Sequence, residues 1–145
     1  KYLGEITVRT ALEKSSNAAA ARVAQMVGLE LIIDLATRMG VTSTLPSVPS
    51  IVLGSAEVTP LEMVSVYGVL ASGGMRAEPF AIRRVESRDG QEIMGEVPVL
   101  TRVVSPAEAF IVTHMLEGVL DAGTARGARA LGFEHPAAGK TGVRP

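Results

Sequence analysis

Cysteine and tryptophan are both absent from this 145-residue chain, and aromatic residues make up only 3% of it. Without cysteine there can be no disulfide framework and no thiolate chemistry, although the absence identifies no compartment. With two tyrosines and three phenylalanines, the core has to be built from Ala, Val, Leu, Ile and Met. Basic blocks are missing as well. The formal net charge is −1, with 14 basic against 15 acidic side chains, so the chain carries no footprint for nucleic acid or an anionic membrane. No apolar run reaches the length of a membrane span, and no signal peptide opens the sequence. Lysine is scarce too: Lys1, Lys14 and Lys140 are the only three, and none stands three residues after a serine.

What is present reads as a folded domain. A hydrophobic content of 47% with 20% charge excludes a disordered tail. A chain of this length buries about two-thirds of its unfolded surface. The first third is helical in pattern. Thr7 is placed to cap a helix over residues 8–14, with Val8 and Leu12 on one face. Asn17 is placed to cap a second helix, alanine-rich, over 18–27 and closed by Gly28. Leu31, Ile32, Leu35 and Ala36 then recur at helical spacing up to the stop at Gly40. Prolines and serines between Leu45 and Ser55 make a connecting loop.

Two helix starts are written out in full. Thr59-Pro60-Leu61-Glu62 supplies a cap, a proline at the first helical position and a reciprocal carboxylate at the third. Ser105-Pro106-Ala107-Glu108 repeats that grammar. The first of these helices is expected to end near Ala71 before Gly73-Gly74. The second is expected to end near Leu120, with order lost through Gly123 and Gly127. Between them, alternation over 80–86, the Asp89-Gly90 turn and the stretch 91–97 predict a β-hairpin. No internal repeat of solenoid length is present.

Among residues that could carry chemistry, Gly139-Lys140-Thr141 first suggests a phosphate-binding loop. That loop needs a glycine five positions before Gly139, where Glu134 stands; Gly132 lies two residues too far away. A carboxylate facing a phosphate would repel it, and Val143 and Pro145 do not open a helix. A lysine beginning an exposed strand is better suited to a carboxylate. Its ammonium pairs with the anion, the Thr141 hydroxyl can donate to it, and Gly142 lets a substrate backbone approach closely. Taken alone, the same residues read equally as a solvated turn. Ser15-Ser16-Asn17, taken alone, is ordinary helix-capping chemistry, and Lys14 reads as a solvated charge. His114 is expected to pack within its helix, and His135 lies in a turn without a second metal ligand nearby. No Ser-His-Asp set can be assembled.

The order and content of several segments together carry more than any one of them. Ala11-Leu12-Glu13-Lys14-Ser15-Ser16-Asn17, Leu53-Gly54-Ser55-Ala56-Glu57-Val58-Thr59-Pro60-Leu61-Glu62 and Gly73-Gly74 come first. The Ser105-Pro106 helix, Gly123-Thr124-Ala125 and Ala138-Gly139-Lys140-Thr141-Gly142 follow. From Thr7 to Gly142 the chain resembles the transpeptidase domain of class A penicillin-binding proteins. That family uses Ser-x-x-Lys for its nucleophile, Ser-x-Asn as a second element and Lys-Thr-Gly as a third. Only the second and third are found here.

The resemblance implies a helical subdomain beside a five-stranded antiparallel sheet, with the site in the cleft between them. For this chain it implies a partial α+β, β-lactamase/transpeptidase-like fold. Such a piece would be mainly α with a β-hairpin, lacking the nucleophile helix and most of the sheet over 1–145. Ser15 and Asn17 would lie on the helical side and Lys140 to Gly142 on an edge strand. By the same resemblance Ser15 relays a proton, Asn17 holds a substrate amide and Lys140 supports the proton network. Thr141 binds the terminal carboxylate, Gly142 is substrate-binding beside it, and the N–H of Val143 donates to the oxyanion. The family usually has Thr or Ser where Val143 stands, so a carboxylate contact is lost there. No cofactor and no metal are implied. The implied partners are the peptidoglycan stem peptide and β-lactams, the remaining parts of the same polypeptide, and self-association of the piece. The implied place is the extracytoplasmic face of the bacterial membrane. The nucleophile is expected before Lys1 and further strands after Pro145. Three further expectations follow: a folded helical body, a loose tail from about Gly132, and no catalysis by the 145 residues alone. Two other readings remain, a non-catalytic interaction module derived from such a domain and a P-loop nucleotide binder.

Overall fold

The computed structural model describes residues 4–142. Helix α1 (Val8–Glu13) begins where the Thr7 hydroxyl accepts from the N–H of Thr10. Helix α2 (Asn17–Val27) follows after one unusual residue: Ser15 has φ 53°, a left-handed conformation that side chains disfavour. The cap of α2 is Ser16 rather than the expected Asn17, because it is the Ser16 hydroxyl that accepts from the N–H of Ala19. Asn17 therefore becomes the first helical residue. Gly28, at φ 93°, separates α2 from α3 (Leu29–Met39), and Gly40 ends α3 in the left-handed region.

The loop after α3 is fastened by one carboxylate. Glu62, in the first turn of α4 (Pro60–Ala71), is 5% exposed and completes the expected capping box with Thr59. Its Oε1 also accepts from the Thr42 N–H and hydroxyl at 2.7 Å each and from the Ser43 N–H at 2.6 Å. Its Oε2 accepts from the Ser43 hydroxyl at 2.8 Å and the Thr59 N–H at 2.6 Å. These donors, the Thr59 N–H foremost, hold the carboxyl far below its usual range although burial opposes ionisation.

Beyond α4 the chain forms a ribbon that the sequence pattern does not reveal. Strand β1 (Met75–Ala77) pairs antiparallel with β4 (Leu100–Arg102), Met75 opposite Arg102. Gly74 makes this possible. At φ 97° it brings its backbone so close to Val104 that a Cβ there would lie 2.2 Å from the Val104 carbonyl oxygen. The intervening chain holds the expected hairpin, shorter than its alternation suggested: β2 (Arg84–Glu86) and β3 (Glu92–Gly95), turned at Gly90. Phe80 to Arg83 stay outside the strand. A 3-10 turn over Pro49–Leu53 fills the loop before α4.

Helix α5 (Pro106–Asp121) starts at the second expected capping box and packs against α1 and α4. Its Ala109, Leu116 and Val119 are buried, with Val69 of α4, Ala24 of α2, Met39 and Val41 completing the small aliphatic core. His114 does not pack into that core, contrary to expectation; it is exposed, and its Nδ1 lies 2.8 Å from the Glu117 carboxylate. After α5 a single helical turn, α6 (Gly127–Ala130), stands where loss of order was expected. No helix among the described residues is long and apolar enough to cross a membrane.

Candidate active site

The site is built on the junction between α1 and α2. Backbone bonds from Ser15 N–H to the Leu12 carbonyl (3.1 Å) and from Ser16 N–H to the Ala11 carbonyl (2.9 Å) fold the end of α1 back on itself. Ser15 is thereby held at positive φ, a conformation costing about 1–2 kcal/mol for a residue with a Cβ. Such strain persists where the surroundings fix a side chain in place. The half-buried Ser15 hydroxyl accepts from the Lys140 ammonium at 2.8 Å, and the same ammonium donates to the Thr141 carbonyl at 2.9 Å. Thus the two motif segments, 125 positions apart, meet directly.

The floor beneath them is the C-terminal end of α5. Thr124 N–H donates to the Glu13 carbonyl (3.1 Å), Lys14 Nζ to the Ala122 carbonyl (3.3 Å) and Arg9 Nη1 to the His114 carbonyl (3.1 Å). Lys14, read as merely solvated, is therefore also a strap between α1 and the α5 terminus. Gly123 is buried, and a Cβ on it would lie 2.5 Å from the Glu13 carbonyl oxygen, so only glycine permits this approach. On the far side, the Thr124 and Thr141 hydroxyls lie 2.6 Å apart.

Arg129 brings the chain from α6 back to Lys140. Its Nε donates to Asp121 at 2.9 Å and its Nη1 to the carbonyls of Phe133 and His135, each at 2.8 Å. The guanidinium also sits 5.5 Å from the centre of the Phe133 ring. Further along, Gly139 N–H meets the Leu116 carbonyl of α5 at 3.4 Å. Where a loose tail was expected from Gly132, the Arg129 fork holds the carbonyls of Phe133 and His135, and the bonds of Gly139 and Lys140 tie the segment that follows to α5 and Ser15.

Of the residues expected to form the site, Ser15, Lys140 and Thr141 are brought together. Asn17 stands exposed at the start of α2, two residues beyond Ser15, and Gly142 is exposed beside Thr141. Val143, the expected oxyanion donor, lies outside the described residues. The expected edge strand is not formed: Lys140, Thr141 and Gly142 have no ladder partners among the described residues. No group of three or more His, Asp or Glu among the described residues is placed to hold a metal.

This arrangement can pass a proton. A serine hydroxyl that accepts from an ammonium keeps its own proton available to donate onward. The family model described as the penicillin-binding protein transpeptidase domain matches residues 1–144. The chain belongs to that family. Penicillin-binding protein 1A of Rickettsia conorii is 36% identical across 99% of this chain, which spans about a fifth (21%) of that relative's length. The class A assignment read from the motifs agrees with that relative's name. Penicillin-binding protein 1A from Haemophilus influenzae superposes on 90% of this chain with a TM-score of 0.81 at 23% identity, over 25% of its own length. That likeness shows the fold, and with it the partial β-lactamase/transpeptidase-like architecture. A penicillin-binding protein 3 from Mycobacterium, solved in complex with aztreonam, matches 79% of this chain and 30% of its own, with a TM-score of 0.68 at 26% identity.

Proposed function

We propose that residues 1–145 form part of a peptidoglycan D,D-transpeptidase domain acting outside the cytoplasmic membrane. In this reading a serine of a Ser-x-x-Lys segment, absent from the 145 residues, is the nucleophile. It attacks the carbonyl of a D-Ala-D-Ala amide in a stem peptide; the C–N bond breaks and an acyl-enzyme ester forms. The proton that the attacking serine loses passes to the lysine of its own segment. Ser15 relays it from there to the departing amine, and Lys140 holds the Ser15 hydroxyl in the geometry for that transfer. Asn17 supports a substrate amide, Thr141 binds the terminal carboxylate, Gly142 lets the substrate backbone approach closely, and the Val143 N–H donates to the oxyanion. An amine of a neighbouring strand then attacks the ester, the serine leaves, and a cross-link remains. β-Lactams would acylate the same serine.

The observation that carries this reading is the 2.8 Å bond from Lys140 to Ser15, which joins the second and third motif segments into one site. Incubation with a fluorescent penicillin followed by intact-mass analysis tests it. One adduct per full-length protein and none on the isolated 145 residues is the expected pair of results. A stoichiometric adduct on the isolated chain would place a nucleophile within it. No adduct on the full-length protein would overturn the enzymatic reading.

One feature favours a second reading, an interaction module. Large apolar side chains remain exposed on α4 and α5, among them Val64 at 68% and Phe110 at 69%. Self-association of the isolated chain, read as a mass that rises with concentration in light scattering, would support it.

A further inference from the structure

The hydroxyl assigned above to the substrate carboxylate, that of Thr141, has one proton and a neighbour only 2.6 Å away. We propose that Thr124 is the positioning residue that decides where this proton points: its Oγ–H donates to Thr141 Oγ1, leaving the Thr141 proton for the carboxylate. The inference rests on the transpeptidase reading of Thr141 and adds a residue to it.

Hydroxyl pairs can donate in either direction, so the direction follows from what each side must do. Were Thr141 to donate to Thr124, only its lone pairs would face the incoming anion, and the contact would be repulsive. With Thr124 as donor, Thr141 accepts once and donates once. The accepted bond also polarises its O–H and strengthens the bond it makes to a carboxylate.

Thr124 is fixed in a way that Thr141 is not. Its N–H is tied to the Glu13 carbonyl at 3.1 Å, and the next amide, of Ala125, to the Val119 carbonyl at 3.0 Å. Gly123 before it is pressed onto Glu13 and Val119 with no space for a Cβ. Glu13 is also two residues before Ser15. One peptide of α1 thus sets the height of both the proton-relay hydroxyl and the Thr124 hydroxyl. Thr141, by contrast, lies in a segment outside any helix and without ladder bonds among the described residues. Thr124 is exposed, so removing its hydroxyl leaves the core untouched.

The test uses the full-length protein, the variants Thr124→Val and Thr124→Ser, and two ligands, benzylpenicillin and its methyl ester. Thr124→Val keeps the side-chain shape and removes the donor; Thr124→Ser keeps the donor. The expected result is a fall of about tenfold in second-order acylation by benzylpenicillin for the valine variant. The fall should lie in ligand binding and not in the maximal acylation rate. The serine variant should stay within about twofold of wild type, and the ester, which has no carboxylate, should react equally with all three proteins. Equal benzylpenicillin rates for wild type and the valine variant would overturn the proposal. So would the same fractional loss with acid and ester, which would mean a general structural role. A wild type that takes up no penicillin overturns the transpeptidase reading itself and this inference with it.

Discussion

The Lys140 ammonium donates to the Ser15 hydroxyl at 2.8 Å, and Ser15 receives it while held at φ 53°. The bond and the backbone strain can be separated by substitution. Ser15→Ala and Ser15→Gly both delete the hydroxyl, but only glycine relieves the left-handed strain. The glycine variant is expected to be the more stable of the two by about 1 kcal/mol in urea denaturation. Both should lose the proton relay. Equal stabilities would mean that Ser15 sits there without strain.

Glu62 makes stability depend on acid. Its carboxyl, and that of Glu108, is held below the ordinary value of 4.5, chiefly by backbone N–H donors from Thr59 and Ser105 respectively. A depressed folded-state value means the unfolded chain takes up protons first as the pH falls. The stabilisation is therefore complete well above pH 4.5 and erodes progressively below it. Thermal melts should give a flat Tm at neutral pH and a falling one below about pH 5.

Glu62→Gln should flatten that acid slope while lowering the neutral-pH Tm by about 10 °C. The new amide would turn an N–H₂ toward donors that need an acceptor. An unchanged acid slope in this variant would show that other carboxylates govern it.

Arg129→Met should free the segment that carries Lys140 without unfolding the body. Amide exchange at Phe133 and Gly139 is expected to rise about tenfold, with the α5 core amides unchanged. Arg129→Lys keeps the charge but not the planar fork and should fall between the two. Uniform faster exchange throughout would mean that Arg129 supports the whole fold.

Gly74→Ala places a methyl group against the Val104 carbonyl and forces a disfavoured backbone. A loss of at least about 2 kcal/mol in urea-induced unfolding is expected, with the β1–β4 ribbon lost first. A neutral substitution would mean that the ribbon can shift to make room.

The helix starts at Thr59 and Ser105 were legible because a capping box is complete within four residues. The ribbon of β1 and β4 was not, since three-residue strands show no alternation and their partners lie 23 or more positions apart. Ser15, Lys140 and Thr141 were marked by resemblance to known motifs, and the fold brings the three into contact. The strand expected at Lys140 did not form because no neighbouring strand among the described residues offers it a ladder. Thr124 belonged to a recognisable segment, yet nothing in Gly-Thr-Ala spells out a hydroxyl aimed at residue 141. Arg129 gave no signal at all. Its role depends on where three acceptors from Asp121, Phe133 and His135 converge, which only the folded chain reveals.

Lys140 and Ser15 enclose nearly the whole chain between them. Bringing such distant points together carries a loop-closure entropy cost that short-range helix caps avoid, so local elements have reason to form before this contact does. A ligand that touches both sides of the cleft would thus act as a clasp across the two ends of the folded body. Its binding energy would appear partly as resistance to unfolding.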